Sequence, residues 1–544
     1  MIFAGNEVPV FFVEVAGLND KWKTILSDRT AGEIQLDPLT KKICLRLEPP
    51  SLKDNRADVD RLREALVQLV GRVEVPLALM HKISGVCREE DWVVTVTVGP
   101  AGTGMKMVGL EAGDTIARHF GLAVDVGTTT VVIYLIDLRN GEILGTAADY
   151  NAQVSLGEDI LTRIYLAGDA GGLAGMQEAI IGTLNGLLVV LTEQCRVAAN
   201  EVSAAVVSGN STMVHLLLGL DPSLICREPY IPVVNSPGLL RAGEIGLKLN
   251  PQAVLYCLPG VGSYIGGDVI AGVLVSGMHR RKEVAMLVDI GTNGEIIVGN
   301  NEWLVACAGA AGPALEGGVA RAGMRAAPGA IDRVRIDPVT GKICYHTIGD
   351  LKPAGICGSG LVDCLAEFLL NGIIDRSGYF QDGCASFTLV PAAESATGVE
   401  IAITQTDINN FMRTKGAVNA AVETLLEGVG LELWAVDRFY AAGAFGHYLC
   451  LESAVTIGLY PDLPRERMIR LGNSAGEGAR QVLLSNRKRL EAEEIARRVT
   501  YFELNASQQF MNRFIGSRFL PHTNLDYFPT VKAKLQKKGL LPED

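Results

Sequence analysis

Two stretches of this chain repeat the same pattern at a distance no short structural repeat spans. AVDVGTTTVVIYLID begins at Ala123 and AMLVDIGTNGEIIVGN begins at Ala285, so that Asp289 follows Asp125 by 164 residues. Each stretch reads as a buried apolar strand ending in aspartate, a Gly-Thr turn, and a returning strand. Solenoid repeats run about 20–50 residues, so a period this long points instead to duplication of a whole domain. It predicts two homologous α/β lobes facing each other, with the cleft between them as the expected site.

The rest of the chain fits around that duplication. At 544 residues it exceeds what one core supports, so two to four domains are expected. Residues 1–35 read as a strand-bearing lead segment. Residues 36–118 follow as a small α+β module: a strand, a break at Pro49-Pro50, a charged amphipathic helix, and the strand Trp92 to Val98. Residues 119–283 form lobe I and 284–544 lobe II. Helical periodicity covers 159–166, 176–200, 213–218, 269–278, 359–370, 407–426, 476–485 and 491–499, and Asn140-Gly141 marks a hairpin turn. The expected fold class is α/β and two-lobed, with a mixed sheet and flanking helices in each lobe.

Composition narrows the function classes. The formal charge of −12 gives phosphate-backbone attraction no support, so nucleic acid is not an expected partner. None of the eleven cysteines is spaced as a ferredoxin or zinc pair, and reduced, mostly buried thiols point to the cytoplasm. The N-terminus lacks a basic region before its apolar patch, and runs such as Leu184 to Leu191 fall short of the roughly 20 residues of a membrane span. No membrane role is expected.

In Asp125-Val126-Gly127-Thr128-Thr129-Thr130, glycine admits a phosphate close to the backbone, N–H groups and hydroxyls supply donors, and the aspartate can hold a hydrated Mg2+. Asp289-Ile290-Gly291-Thr292-Asn293 offers the same chemistry. Either turn alone reads as an ordinary hairpin; the pair can clamp one polyphosphate and its metal. Gly443, Phe445 and Gly446, behind the strand at 438–440, leave room for a flat nucleoside. Gly472, Asn473 and Ser474 open a further helix that could complete such a pocket. Both also read as strand-to-helix packing turns. The small-residue loop 307–318 suits close approach of a phosphate or partner; Arg163, Arg321 and Arg325 are weaker phosphate candidates, and Cys307 is expected to be buried.

Asp125-Gly127-Thr128, Asp289-Gly291-Thr292 and Gly443-Phe445-Gly446 resemble the phosphate 1, phosphate 2 and adenosine motifs of the superfamily of acetate and sugar kinases, heat-shock chaperone ATPases and actin. That resemblance covers about residues 120–485. AVDVGTTTVVIYLIDL, VVSGNSTMVHLLLG, ACAGAAGPALEGG, ICGSGLVDCLAEF and YFELNASQQFMNRF together resemble the reductive activators of corrinoid enzymes, over roughly 36–530. The resemblance implies an ATPase, with Mg2+, that returns cob(II) to cob(I) in a corrinoid protein, either a corrinoid iron-sulfur protein or a corrinoid methyltransferase component. It also implies a homodimer and a water-orienting role for Asp268, which reads otherwise as a cap of the helix beginning at Val269. Members commonly carry a plant-type ferredoxin domain or a C-terminal iron-sulfur module. This chain has neither cysteine pattern, so no iron-sulfur cluster is expected in it: either a separate low-potential protein delivers the electron, or the chain is a shortened or differently specialised relative. Two other readings stay open: a small-molecule kinase with Asp268 as general base, and a nucleotide-gated chaperone or scaffold that moves no electron.

Overall fold

The computed structural model describes the backbone of 13–15 and residues 34–102, 104–291, 294–309, 320–443, 446, 449–504 and 508–542. The chain divides into two compact units. Unit 1 holds Met1–Val275 and Ala475–Arg497, and unit 2 holds Ser276–Ser474 and Arg498–Asp544.

Unit 1 is built on a seven-stranded sheet in the order Val13–Val15, Ile143–Tyr150, Thr130–Asp137, Phe120–Val126, Val202–Gly209, Val254–Cys257, Leu239–Arg241. The strand Phe120–Val126 pairs antiparallel with its hairpin partner, Asp125 opposite Val132, and parallel with Val202–Gly209, Asp125 opposite Ser208. The Asn140-Gly141 turn forms as expected: Gly141 takes φ +78°, and the Asn140 carboxamide oxygen accepts the Glu142 N–H at 2.9 Å.

The helix Gly172–Cys195 packs on this sheet through Met176, Ile180, Leu184, Leu187 and Leu191. It starts earlier and stops earlier than its periodicity predicts, because Arg196 adopts a left-handed conformation and ends it. Among the described residues it is the one helix long and apolar enough to cross a membrane; no single apolar run reveals this, since polar residues interrupt the sequence. Its buried residues belong to the same apolar cluster as the strands of the sheet.

The small α+β module is also present. Strands Lys41–Arg46, Val93–Ala101, Gly104–Ala112 and Val73–Glu74 form a four-stranded sheet carrying helices Asp58–Val70 and Leu77–Glu89, with Leu62, Leu66, Ile83, Val94 and Val96 buried. Its Thr40 hydroxyl bonds His119 Nε2 at 3.0 Å and Ser203 Oγ at 2.7 Å, joining module to sheet. The segment Ala475–Arg497 completes unit 1. Its Gly478 lies so close to Ala271 that a Cβ would overlap it, and Leu483 lies against Gly121.

Unit 2 repeats the central topology. Its six-stranded sheet runs Met468–Gly472, Arg438–Ala442, Ala285–Ile290, Gly294–Gly299, Leu304–Gly309, Val499–Tyr501. The aspartate-bearing strand again has an antiparallel hairpin partner on one side and a parallel strand on the other, with Asp289 opposite Glu295 and Ala442. The duplication read from the sequence is therefore a duplication of strand order.

The helix Gln405–Gly428 covers this sheet and starts at a capping box between Thr404 and Asp407. Fully buried within it, Lys415 donates from Nζ to the carbonyls of Ser517 (2.7 Å), Phe519 (2.8 Å) and Pro521. Burial pushes its ammonium pKa down to about 7, while the nearby Glu423 and three carbonyl acceptors favour the charged form.

Candidate functional site

In both units the predicted residues gather at the carboxyl ends of parallel strands, where open α/β sheets place their ligands.

In unit 1, Asp125 is half-buried one residue before its strand ends. Gly127 begins the turn and its N–H donates to Thr130 O at 3.0 Å; a Cβ there would stand 2.5 Å from that oxygen. Two further carbonyls of the turn are held by Asn151, whose Nδ2 donates to Gly127 O (3.0 Å) and whose backbone N–H donates to Thr129 O (2.9 Å). Thr129 is half-buried, Thr130 is exposed, and Thr128 is only 7 % exposed. The Thr128 hydroxyl receives a hydrogen bond from Asn210 Nδ2 at 3.1 Å.

Asn210 follows the neighbouring parallel strand and caps the helix Ser211–Leu218, its Oδ1 accepting the Met213 N–H at 2.9 Å. Gly266 packs so closely on the Asn210 Cα that a Cβ would overlap it. Two residues on, Asp268 stands in the first turn of the helix Gly267–Ser276, half-buried, its Oδ1 accepting the Val269 N–H at 2.9 Å. Burial pushes its carboxyl pKa up to about 6, and backbone N–H groups oppose that rise. It lies within the helix rather than before it, so it is not the cap residue.

In unit 2, Asp289 is half-buried at the equivalent place, and Gly291 opens the turn after it. Gly443 has φ +82°, and a Cβ on it would collide with Asp289 Oδ1. Gly443 and the strand-end aspartate are thus in direct apposition. Gly472, at φ +65°, ends the next parallel strand, and Asn473 is half-buried behind it. Ser474 is fully buried and its Oγ has no hydrogen-bond partner. Gly446 backs onto the buried Tyr460; burial first, then the charge of Asp289, push that phenol up. Thr292, Asn293 and Phe445 lie outside the described residues, as does most of the loop 307–318.

Comparison with known proteins decides what these turns belong to. The C-terminal domain of RACo, the ASKHA domain, matches residues 283–532; the RACo middle region matches 120–281 and the RACo linker region 29–117. A solved structure, the reductive activator for corrinoid, iron-sulfur protein, is 42 % identical with TM-score 0.86, covering 92 % of this chain and 82 % of that one. The chain belongs to the RACo family. Among curated relatives of this RACo-type chain, the corrinoid activation enzyme RamQ of Eubacterium limosum is 33 % identical over 415 residues, 73 % of this chain and 69 % of the relative. The [Co(II) methylated amine-specific corrinoid protein] reductase of Methanosarcina barkeri is 25 % identical over 429 residues, covering 73 % and 76 %. The actin-like fold expected from the motifs is that of the ASKHA domain.

The reading of Arg163 as a phosphate candidate in this RACo-family chain changes in the structure. Arg163 is fully buried and spends its guanidinium on Gly157 O (2.7 Å), Gln153 Oε1 (3.2 Å) and Met213 Sδ (3.3 Å), which fixes a loop rather than a phosphate. Asn151 and Asn210 were missed as supports of the Thr128 turn. Each follows directly on a strand, a position where asparagine reads first as a turn or cap residue. Cys307 is buried as expected, and burial followed by the charge of Glu295 raises its thiol pKa.

Proposed function

We propose that this chain is an ATP-dependent activator that returns the cobalt of a corrinoid protein from Co(II) to the nucleophilic Co(I) state. The observation that carries the reading is the strand-end aspartate turn found in both units of a chain 42 % identical to a reductive activator for corrinoid, iron-sulfur protein.

The residues present fit a nucleoside triphosphate with one divalent cation. Each strand-end aspartate, Asp125 and Asp289, would hold Mg2+ through bound water, with phosphate oxygens among its ligands. The turns Gly127 to Thr130 and Gly291 to Asn293 would donate to the phosphates. Gly443, Phe445, Gly446, Gly472, Asn473 and Ser474 would seat the adenosine, beside a Gly443 backbone that leaves no room for a Cβ against Asp289. Hydrolysis of bound MgATP supplies the free energy that offsets an uphill one-electron reduction. Asp268, with its pKa raised to about 6, is mostly ionised at neutral pH and can accept the proton of an attacking water.

The partner on this reading is a corrinoid iron-sulfur protein or a corrinoid methyltransferase component, met in the cytoplasm by a homodimer of this chain. One electron passes from a separate low-potential donor to cobalt.

The test follows ATP hydrolysis and cob(I) absorbance together, with wild type and Asp289→Ala, a cob(II) corrinoid protein and a low-potential reductant. ATP-dependent cob(I) formation that Asp289→Ala abolishes supports the reading. Hydrolysis without cobalt reduction overturns it, and a phosphorylated small product would mark a kinase.

A further inference from the structure

We propose that Asn210 is a positioning residue for phosphate recognition: it orients the Thr128 hydroxyl as a hydrogen-bond donor toward a bound nucleoside polyphosphate. The proposal rests on the nucleotide reading above and assigns a role within it.

The orientation of the Asn210 carboxamide is fixed by its surroundings. Its Oδ1 faces the Met213 N–H at 2.9 Å, and a backbone N–H can only donate, so the oxygen belongs on that side. The amide nitrogen therefore faces Thr128 Oγ1 at 3.1 Å. An amide NH2 can only donate, so the hydroxyl oxygen accepts there and its own proton must point elsewhere. The turn carbonyls Gly127 O and Thr129 O already accept from Asn151, and Thr130 O from the Gly127 N–H, and the Thr128 hydroxyl donates to none of the three. An acceptor brought by a ligand is then the natural partner for that proton, and a phosphate oxygen makes the bond charge-assisted.

The backbone holds this arrangement rigidly. A Cβ on Gly209 would stand 2.8 Å from Val126 O, and Gly266 leaves no space above the Asn210 Cα. The neighbouring Ser211 Oγ donates to Gly262 O at 2.6 Å, tying the same helix start to the loop that leads to Asp268.

Asn210→Asp keeps a good cap oxygen but replaces the donor facing Thr128 with an acceptor, which draws the hydroxyl proton away from the ligand. The experiment measures MgATP and adenosine binding by displacement of a fluorescent ATP analogue, with apo Tm alongside, for N210D, N210S, T128V and N210D/T128V. Expected are losses of about 10- to 100-fold in MgATP affinity for N210D and T128V, the scale of one hydrogen bond to a charged group. N210S, which keeps a cap but has no donor, falls between these and wild type. Adenosine affinity stays unchanged, and N210D and N210S keep Tm within about 3 °C. In the T128V background, N210D costs no more than about 2-fold, since the two changes act through one bond. Equal MgATP losses from N210D with and without Thr128 would show charge repulsion alone and overturn the proposal. Parallel loss of adenosine affinity would show a structural defect and overturn it too. Failure of the unaltered protein to bind MgATP would overturn the nucleotide reading itself, and this proposal with it.

Discussion

Gly443 touches the proposed chemistry through backbone geometry alone, so Gly443→Ala tests the site without removing any functional group. Gly443 has φ +82°, where an L-residue costs about 1–2 kcal/mol, and its Cβ would collide with Asp289 Oδ1. Gly383 separates the two effects. It has φ +73° with nothing within 4 Å of an added Cβ, so Gly383→Ala carries the backbone cost without the collision. For a unit of this size that cost lowers Tm by about 2–8 °C. Relieving the collision in Gly443→Ala moves the Asp289 carboxylate by about 1 Å, and a misplacement of that size costs about 100-fold in rate. Both variants and wild type are compared by thermal melting and by ATP hydrolysis. The expected pattern is comparable or greater loss of Tm in Gly443→Ala, with about a 100-fold loss of hydrolysis confined to that variant. Equal hydrolysis in the two variants would refute the claim that this turn positions Asp289.

Three further outcomes are expected. Hydrolysis should rise with pH through about 6 as Asp268 ionises, and Asp268→Asn should abolish hydrolysis while raising Tm at neutral pH, because it removes a carboxylate whose charged form burial disfavours; a flat pH–rate profile would count against Asp268 as the base. His119, held neutral by burial and by the charge of Lys42, has its pKa pushed down to about 4 from an ordinary 6.5. Its stabilising contribution is therefore complete above about pH 6.5 and is lost as pH falls toward 4, about 3 kcal/mol in all, so acid melts of His119→Gln should lack that slope. Lys415→Met leaves three buried carbonyls without their donor, at about 1–3 kcal/mol each, and limited proteolysis should then cut within 517–540 while wild type resists.

Local pattern carried much of this protein's architecture. The apolar strands ending at Asp125 and Asp289 were legible because a buried strand is a short unbroken apolar run, and its turn needs glycine where a Cβ would strike backbone. The helix at 407–426 was legible from its periodicity, and its true start at Gln405 is set by the Thr404–Asp407 box. What sequence order hid are contacts made across it. Asn210 meets Thr128 across 82 positions, and nothing in SGNSTM distinguishes a plain helix cap from one whose free nitrogen also holds a hydroxyl. Arg163 looked available because it follows Gly157-Glu158-Asp159; its guanidinium instead satisfies the Gly157 carbonyl that the same turn leaves exposed. Direct contact between Gly443 and Asp289 is likewise a product of parallel strand pairing, which periodicity cannot register.

The return of Ala475–Arg497 to unit 1 also sets a timetable for synthesis. The sheet and its helices up to Val275 leave the ribosome before about 200 residues of unit 2, and only then do the segments arrive that cover Gly121, Gly141 and Ala271. At about 5–20 residues per second that is an interval of about 10–40 s during which an apolar face of the nascent domain lacks its cover. Expression should accordingly be sensitive to truncation between 276 and 474, yielding fragments that hold a complete sheet with an unsealed side, and to chaperones that shield such a surface while translation finishes.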